Sequence, residues 1–147
     1  MPETDLKGKT VMIATTGKTQ TPSVQYALEG RGATVVFSGH APHDRSSIPL
    51  ISGEIEKHKP KIDALVIHNT NTEWEDGLTT VLELTGRLKK ALPVIVCDSC
   101  YDHTYIRRLR DVEAKYLNVD VMGPDRIASA VADAVNQHGK PGRSAGA

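Results

Sequence analysis

Four short apolar runs lie along the chain, and each gives way to small polar residues. Because these runs are rich in β-branched residues and lack polar alternation, they predict strands buried on both faces, as in a parallel sheet. In open α/β sheets, ligands bind just beyond the carboxyl ends of the strands, so the polar residues mark the predicted site. The runs and the residues that follow them are Val11–Ala14 with Thr15–Thr19, Thr34–Phe37 with Ser38–His40, Ala64–Ile67 with His68–Asn71, and Val94–Val96 with Cys97–Cys100.

Segments between the runs repeat apolar residues at helical spacing, which predicts a helix after each strand. Residues 1–9 are predicted to be a polar lead-in, with the first strand starting at Lys9. The predicted helices are Pro22–Glu29 behind a Thr21 N-cap, one around Ile48–Ile55, Asp76–Lys90, Thr104–Tyr116 and Arg126–His138. A short fifth strand, Val119–Met122, is predicted at the edge of the sheet.

Strands that alternate with helices form parallel sheets with right-handed crossovers. We therefore expect one α/β domain over residues 1–139, followed by a disordered tail at residues 140–147. Its predicted architecture is a three-layer, doubly wound, five-stranded parallel sheet with the flavodoxin-like order 2-1-3-4-5. In that order the first and third strands diverge at a switch point, which places Thr15–Thr19 and His68–Asn71 around one crevice.

Composition narrows the function classes. The 147 residues carry 18 basic and 18 acidic side chains, a formal net charge of zero, whereas nucleic-acid binders usually carry a basic excess. No apolar run approaches the roughly 18 residues of a membrane span, and the polar, acidic start does not look like a signal peptide. We therefore expect a cytoplasmic protein that binds neither nucleic acid nor membrane.

The first strand-end segment, Thr15–Thr19, has the composition of an anion site. Its glycine, hydroxyls and free N–H groups precede a helix, where unpaired donors and the helix dipole favour a phosphate. Gly17-Lys18-Thr19 is similar to part of a P-loop, but that motif needs a glycine where Met12 stands, so nucleotide hydrolysis is rejected. An ordinary polar turn remains the alternative.

From Lys9 to Gln137 the chain resembles response-regulator receiver domains. The features that carry the resemblance are the spacing of Ala64–Ile67, Asp76-Gly77-Leu78, Leu92–Val96 and the Gly123-Pro124 pair before the last helix. These motifs are generic for the fold. The resemblance implies a regulatory domain with a phosphorylation site at the carboxyl ends of the strands.

Carried over by position, the resemblance implies a degenerate site. The receiver's metal-binding acids fall on Thr15 and Thr16, and its phosphoacceptor aspartate falls on Asn69. Its switch hydroxyl falls near Ser99, and its lysine falls on Gly123. Only the hydroxyl matches. Phosphorylation of a receiver needs an aspartate carboxylate as the nucleophile and further acidic side chains to hold Mg²⁺. Because these positions carry no acidic residue, the usual phosphorylation is expected to be lost.

A second resemblance is to flavodoxins. Thr15–Thr19 is similar to their phosphate loop, Thr72-Glu73-Trp74 to their second loop, and Asp98–Tyr101 to their third. This resemblance implies an FMN ring between Trp74 and Tyr101, with its phosphate on the first loop. The loops after the third and fourth strands are short for wrapping a flavin.

Two further features lie at the strand ends. Cys97 and Cys100, with His103 three residues on, could form a thiol or metal site, although buried cysteines usually serve as small apolar residues. His68 ends a central strand at the switch point, where either a site residue or a hydrogen-bonded structural histidine fits.

The sequence thus predicts a non-catalytic, receiver-like regulatory module that acts through a protein partner or self-association. The contact surface would be the last helix and the neighbouring edge strand, and the strand-end pocket would be vestigial or bind a small anion. The alternative is an FMN-binding redox protein. No resident cofactor is expected in the first case and no metal in either. The candidate binding residues are Thr15, Thr16, Gly17, Lys18, Thr19, His68, Asn69, Trp74, Ser99 and Tyr101.

Overall fold

Five strands and five helices alternate along the chain in a computed structural model. The model describes residues 5–15, 21–42, 45–68, 75–98, 103–119 and 121–138. The strands are β1 (Thr10–Thr15), β2 (Thr34–Phe37), β3 (Ala64–His68), β4 (Val94–Asp98) and β5 (Lys115–Asn118). The helices are α1 (Thr21–Gly30), α2 (Ser47–Lys57), α3 (Glu75–Leu88), α4 (His103–Asp111) and α5 (Pro124–Gln137).

The strands form one parallel sheet in the order β2-β1-β3-β4-β5. This confirms the predicted fold class and strand order. The central strands β3 and β4 are buried along their whole length, as unbroken apolar runs require. At the carboxyl end, the register aligns Thr15 with His68, His68 with Cys97, and Cys97 with Leu117. The predicted site residues of neighbouring strands therefore meet in one row.

Helices cover both faces of the sheet and give two separate apolar cores. Successive strand residues point to opposite faces, so Ile13 and Val66 pack under α1 and α5, whereas Met12 and Leu65 pack under α2, α3 and α4. Helix residues in the first core include Val24, Leu28, Ile127, Ala128 and Val131. Helix residues in the second include Ile48, Ile51, Val81, Leu84, Tyr105 and Leu109.

The lead-in before β1 is part of the core, contrary to the prediction of a polar segment. Leu6 is fully buried under α1 and α5. Its N–H donates to the Arg31 carbonyl at 3.0 Å, and the Arg31 guanidinium forms an ion pair with Asp5 at 2.7 Å. One apolar residue among polar neighbours has no periodicity, which is why the pattern did not reveal this anchor.

The prediction for α4 and the fifth strand was wrong by about four residues. α4 ends at Asp111, and β5 begins at Lys115 instead of Val119. The turn that closes the helix includes Glu113, whose φ of 65° is left-handed. The Glu113 N–H donates to the Arg110 carbonyl, and the Ala114 N–H donates to the Leu109 carbonyl. This is a Schellman cap that normally uses glycine. Because glutamate occupies the cap, the sequence pattern did not show where the helix ends.

The other boundaries agree with the predictions to within about two residues, the range over which helix ends commonly vary. Among the described residues, none of the helices is both long and apolar enough to cross a bilayer. The predicted tail at residues 140–147 lies outside the described residues.

Candidate functional site

Two of the ten predicted binding residues lie in the described part of the chain, Thr15 and His68. The other eight are outside the described residues, namely Thr16, Gly17, Lys18, Thr19, Asn69, Trp74, Ser99 and Tyr101. Their assignment to a phosphate, a flavin or a degenerate receiver site therefore stays a prediction.

Thr15 and His68 end the two strands that diverge at the switch point. They are directly aligned in the β1–β3 ladder, and neighbouring strands lie about 4.8 Å apart. By strand alternation both side chains point to the face that α1 and α5 cover. Thr15 is half-buried, whereas His68 is 1% exposed. The structure thus brings these two residues together, as the sequence predicted.

A cavity of about 190 Å³ lies beside His68 at this end of the sheet. It opens between the first turns of α1 and α5. Its lining residues are Ser23, Val24, His68, Val119, Met122, Gly123, Pro124 and Ile127. The cavity is therefore mainly apolar, and His68 and the Ser23 hydroxyl are the side-chain hydrogen-bonding groups that line it.

His68 is a buried imidazole in its neutral form. Burial lowers its pKa below the ordinary value of 6.5 because a protonated ring would lose its hydration. Within the described residues, Nδ1 is buried and makes no hydrogen bond. A buried polar atom without a partner is costly to the folded state.

Sequence reasoning missed most of the cavity lining. Val119 and Met122 were predicted to be strand residues, but they belong to the segment between β5 and α5. Gly123 lies five positions beyond Asn118, the last residue of β5, and directly precedes α5. The Gly123-Pro124 pair at the start of α5 was the visible clue to where this segment ends.

Cys97 lies next to His68 in the adjacent strand but is not set up as a thiolate. It is fully buried in the core beneath α1 and α5. Burial raises the pKa of its thiol to about 12, and the charge of Asp98 adds to the shift. At neutral pH the thiol therefore stays protonated, and a thiolate is the form that acts as nucleophile or ligand.

The predicted third ligand, His103, is not on the same face of the sheet as Cys97. It begins α4, which packs with α2 and α3 on the opposite face, and it is exposed. Cys100 lies outside the described residues. In the portion that the structure describes, no three His, Cys, Asp or Glu residues are grouped as a metal would require.

Asp98 is the acidic residue at the end of β4. It is fully buried, and its carbonyl accepts the Val119 N–H at 2.9 Å and the Tyr116 hydroxyl at 3.3 Å. These bonds hold the end of β4 to the residue after β5. Asp98 thus helps to position Val119, which lines the cavity beside His68.

A second concavity lies outside the core, at the open edge formed by α4 and β5. Its volume is about 300 Å³. Ile106, Ala114 and Tyr116 provide apolar surface, and Arg110 and Lys115 provide positive charge. Because β5 pairs only with β4, its outer edge borders this groove. We call this surface the α4–β5 groove.

The chain is similar in fold to solved receiver domains. A response regulator from Thermotoga maritima is 19% identical with a TM-score of 0.65, over 87% of this chain and 98% of that one. A CheY-like receiver domain protein from Methanospirillum hungatei is 13% identical with a TM-score of 0.67, over 91% and 98%. An orphan response regulator of H. pylori is 11% identical with a TM-score of 0.64, over 91% and 99%.

At these identities the likeness establishes the fold, which is that of receiver domains. No family model matches the chain, and no curated protein matches it.

Proposed function

We propose that the chain is a receiver-like regulatory module in the cytoplasm that works without phosphorylation of an aspartate. The observation that carries the proposal is the identity of the residues that end β1 and β3. In the described part of the chain these are Thr15 and His68, a hydroxyl and a neutral imidazole. Neither provides the carboxylate nucleophile that aspartyl phosphorylation needs.

The flanking sequence agrees with this proposal. Residues 14–20 contain no aspartate or glutamate, and neither do residues 64–72. Mg²⁺ prefers carboxylate oxygens, so the divalent cation that supports phosphoryl transfer would lack its ligands here. Asp98, the nearby carboxylate in the described residues, is fully buried.

The output in this proposal is binding to a protein partner or to a second copy of the chain. The surface we assign is α5 together with the β5 edge and the α4–β5 groove. Arg110 and Lys115 flank the apolar floor of that groove. Interfaces combine an apolar centre with charged groups at the rim that select the partner, so we expect an acidic, partly apolar surface opposite.

Intact-mass spectrometry after incubation with acetyl phosphate and Mg²⁺ tests the loss of phosphorylation. We expect the mass to stay unchanged while a phosphorylatable receiver domain in the same tube gains a phosphoryl group. A gain on this chain would contradict the proposal, and the same assay on Asp98→Asn would show whether that carboxylate was the acceptor.

Sedimentation velocity tests the association surface. If the partner is a second copy, the weight-average sedimentation coefficient rises with concentration, and Lys115→Glu lowers it because the charge at the groove is reversed. Lys57→Glu at the end of α2 is the matched control and leaves it unchanged. A Lys115→Glu variant that associates like the wild type would remove the groove from the proposal.

The FMN alternative rests on Trp74 and Tyr101, which lie outside the described residues. It is tested by the absorbance spectrum of the purified protein. Flavin absorbance that disappears in Trp74→Ala would favour the redox protein over the regulatory module. A spectrum without flavin, and a melting temperature that added FMN does not change, would favour the module.

A further inference from the structure

The outer edge of β2 is an open side of the sheet that carries no charged residue. The strand order places β2 at one edge and β5 at the other. Within the described residues, β2 pairs with β1 alone. Its sequence is Thr-Val-Val-Phe, whereas β5 contains Lys115. Proteins commonly protect edge strands with charged side chains or proline, because the exposed backbone groups can pair with another chain. The β2 edge lacks both protections.

Two residues of β2 direct their backbone groups away from β1. The Thr34 and Ser38 N–H groups both donate to carbonyls of the β1 segment at 2.9 Å. Because alternate residues of a parallel strand face the same neighbour, Val36 also faces β1. Val35 and Phe37 therefore face outward, and no other described segment forms a backbone hydrogen bond with either of them. Their N–H and C=O groups are available to an added strand.

The side chains at this edge include exposed apolar surface. Phe37 is 45% exposed. It aligns with Ile13 of β1, so it lies on the face of the sheet that α1 and α5 cover, as Val35 does. Val36 packs on the opposite face. An added strand would cover the Phe37 ring as well as pair with the backbone, since side chains directly opposite each other in a sheet are in contact.

We propose that two copies of this chain pair through β2, antiparallel across a two-fold axis, and form one continuous sheet. In this register Val35 of each copy lies opposite Phe37 of the other, and each such pair exchanges N–H···O bonds in both directions. The two copies of Val36 lie opposite each other at the axis. Pairs of aromatic and β-branched side chains stabilise antiparallel strands, so the edge is complementary to itself.

Charge decides which edge of the sheet suits a second copy. A two-fold axis sets the same surface patch of both copies against each other, and like charges that lie opposite each other are destabilising. The α4–β5 groove carries Arg110 and Lys115, which suits an acidic partner. The residues of β2 carry no charge. The β2 edge is therefore a second surface, separate from that groove, and its pairing does not depend on what binds there.

A symmetric disulfide tests this register. At the axis, the Cα atoms of the two Val36 residues would be about 4.5 Å apart, which a disulfide can span. Val36→Cys should therefore give a covalent dimer under mild oxidation, detected by intact-mass spectrometry without reductant. Thr34→Cys is the matched control, because it lies on the same face but about 13 Å along the strand from its own copy. It should cross-link no more than the wild type, whose Cys97 and Cys100 set the background.

Sedimentation velocity tests whether the native edge associates. The weight-average sedimentation coefficient of the wild type should rise with concentration. Phe37→Lys should raise the dissociation constant about 2- to 30-fold, because each dimer loses two contacts between phenylalanine and valine. Val121→Lys is the matched control, since Val121 is an apolar residue that is 68% exposed and follows β5 at the other edge of the sheet. It should associate like the wild type.

Three outcomes would overturn the proposal. One is that Val36→Cys cross-links no more than the wild type. Another is that Thr34→Cys cross-links as strongly as Val36→Cys, which would indicate chance encounters or another register. The third is a sedimentation coefficient that does not change with concentration, or one that Phe37→Lys leaves as in the wild type. Lys115→Glu, which tests the α4–β5 groove, should leave the Val36→Cys cross-link intact, so a failure at one surface is distinguishable from a failure at the other.

Discussion

The two ends of the parallel sheet differ in how their buried polar groups are hydrogen-bonded. At the amino end, the Thr10 N–H donates to the Asp63 carboxylate at 2.9 Å, and the Asp63 N–H donates to the Thr10 carbonyl at 2.8 Å. At the carboxyl end, His68 keeps a buried nitrogen that no described residue bonds, beside a cavity of about 190 Å³. One end joins its strands through paired polar groups, and the other keeps a buried polar atom that no described residue hydrogen-bonds.

This contrast has consequences for stability. Paired polar groups stabilise the folded state, whereas an unpaired buried one costs free energy. We therefore expect substitutions at the amino end to lower the free energy of unfolding and substitutions of His68 to change how that free energy depends on pH.

The largest expected effect is on the anchor at the amino end. Leu6→Ala removes a fully buried side chain from the core under α1 and α5 and should lower the free energy of unfolding by about 2–5 kcal/mol. Urea denaturation measures it. Leu50→Ala, at an exposed leucine of α2, is the control and should cost less than about 1 kcal/mol. Equal losses would show that the lead-in is not an anchor.

The next effect concerns the link between β1 and β3. Asp63→Ala leaves the buried Thr10 N–H without its carboxylate acceptor, which should cost about 1–3 kcal/mol. Asp63→Asn keeps an acceptor oxygen and should cost less. If the two variants unfold at the same urea concentration, the hydrogen bond is not what stabilises this end.

A smaller effect should appear at the carboxyl end as a dependence on pH. Because burial lowers the pKa of His68 in the folded state, the unfolded chain binds the proton first as the pH falls through 6.5. The contribution of His68 to the free energy of unfolding is therefore fully present above that pH. It is lost as the pH falls below it, and the free energy of unfolding then decreases by at most about 1.4 kcal/mol per pH unit.

The groups around the ring add no opposing charge. Thr15 and the protonated Cys97 flank His68 in the sheet, and the described cavity lining from α1 and α5 is uncharged. Urea denaturation at several pH values compares the wild type with His68→Gln, in which this part of the slope should be absent. A slope that persists unchanged in the variant would assign it to other groups.

The smallest effect is expected for the ion pair at the amino end. The side chains of Arg31 and Asp5 are 16% and 34% exposed, and pairs near the surface contribute little because water and salt screen them. Asp5→Asn should lower the free energy of unfolding by less than about 1 kcal/mol, and less at high salt. A loss as large as that of Leu6→Ala would mean that the charge, and not the apolar contact, anchors the lead-in.

The sheet could be predicted from sequence because its strands are continuous apolar runs. Val11–Ala14, Ala64–Ile67 and Val94–Val96 are buried on both faces, and burial is what selects such runs. The placement of His68 beside Thr15 followed from the topology, since parallel strands bring their carboxyl ends to one edge.

The cavity could not be predicted because it depends on where β5 ends. Glu113 takes a left-handed conformation at the end of α4, which glycine usually adopts, so the sequence pattern placed the strand about four residues too late. The buried, unbonded state of His68 is likewise a property of packing between α1 and α5, and no local spacing of residues encodes it.

The central claim is that the strand-end site presents a neutral, buried imidazole at His68, next to Asn69, the position that the receiver resemblance gives to the phosphoacceptor aspartate. The direct test is the NMR titration of the His68 ring nitrogens, identified by their absence in His68→Gln. The midpoint of the ring's titration is predicted to lie below the ordinary value of 6.5, because burial disfavours the charged form and lowers the pKa. A midpoint at or above 6.5 would mean that the folded protein does not disfavour the charged ring, and would contradict the account.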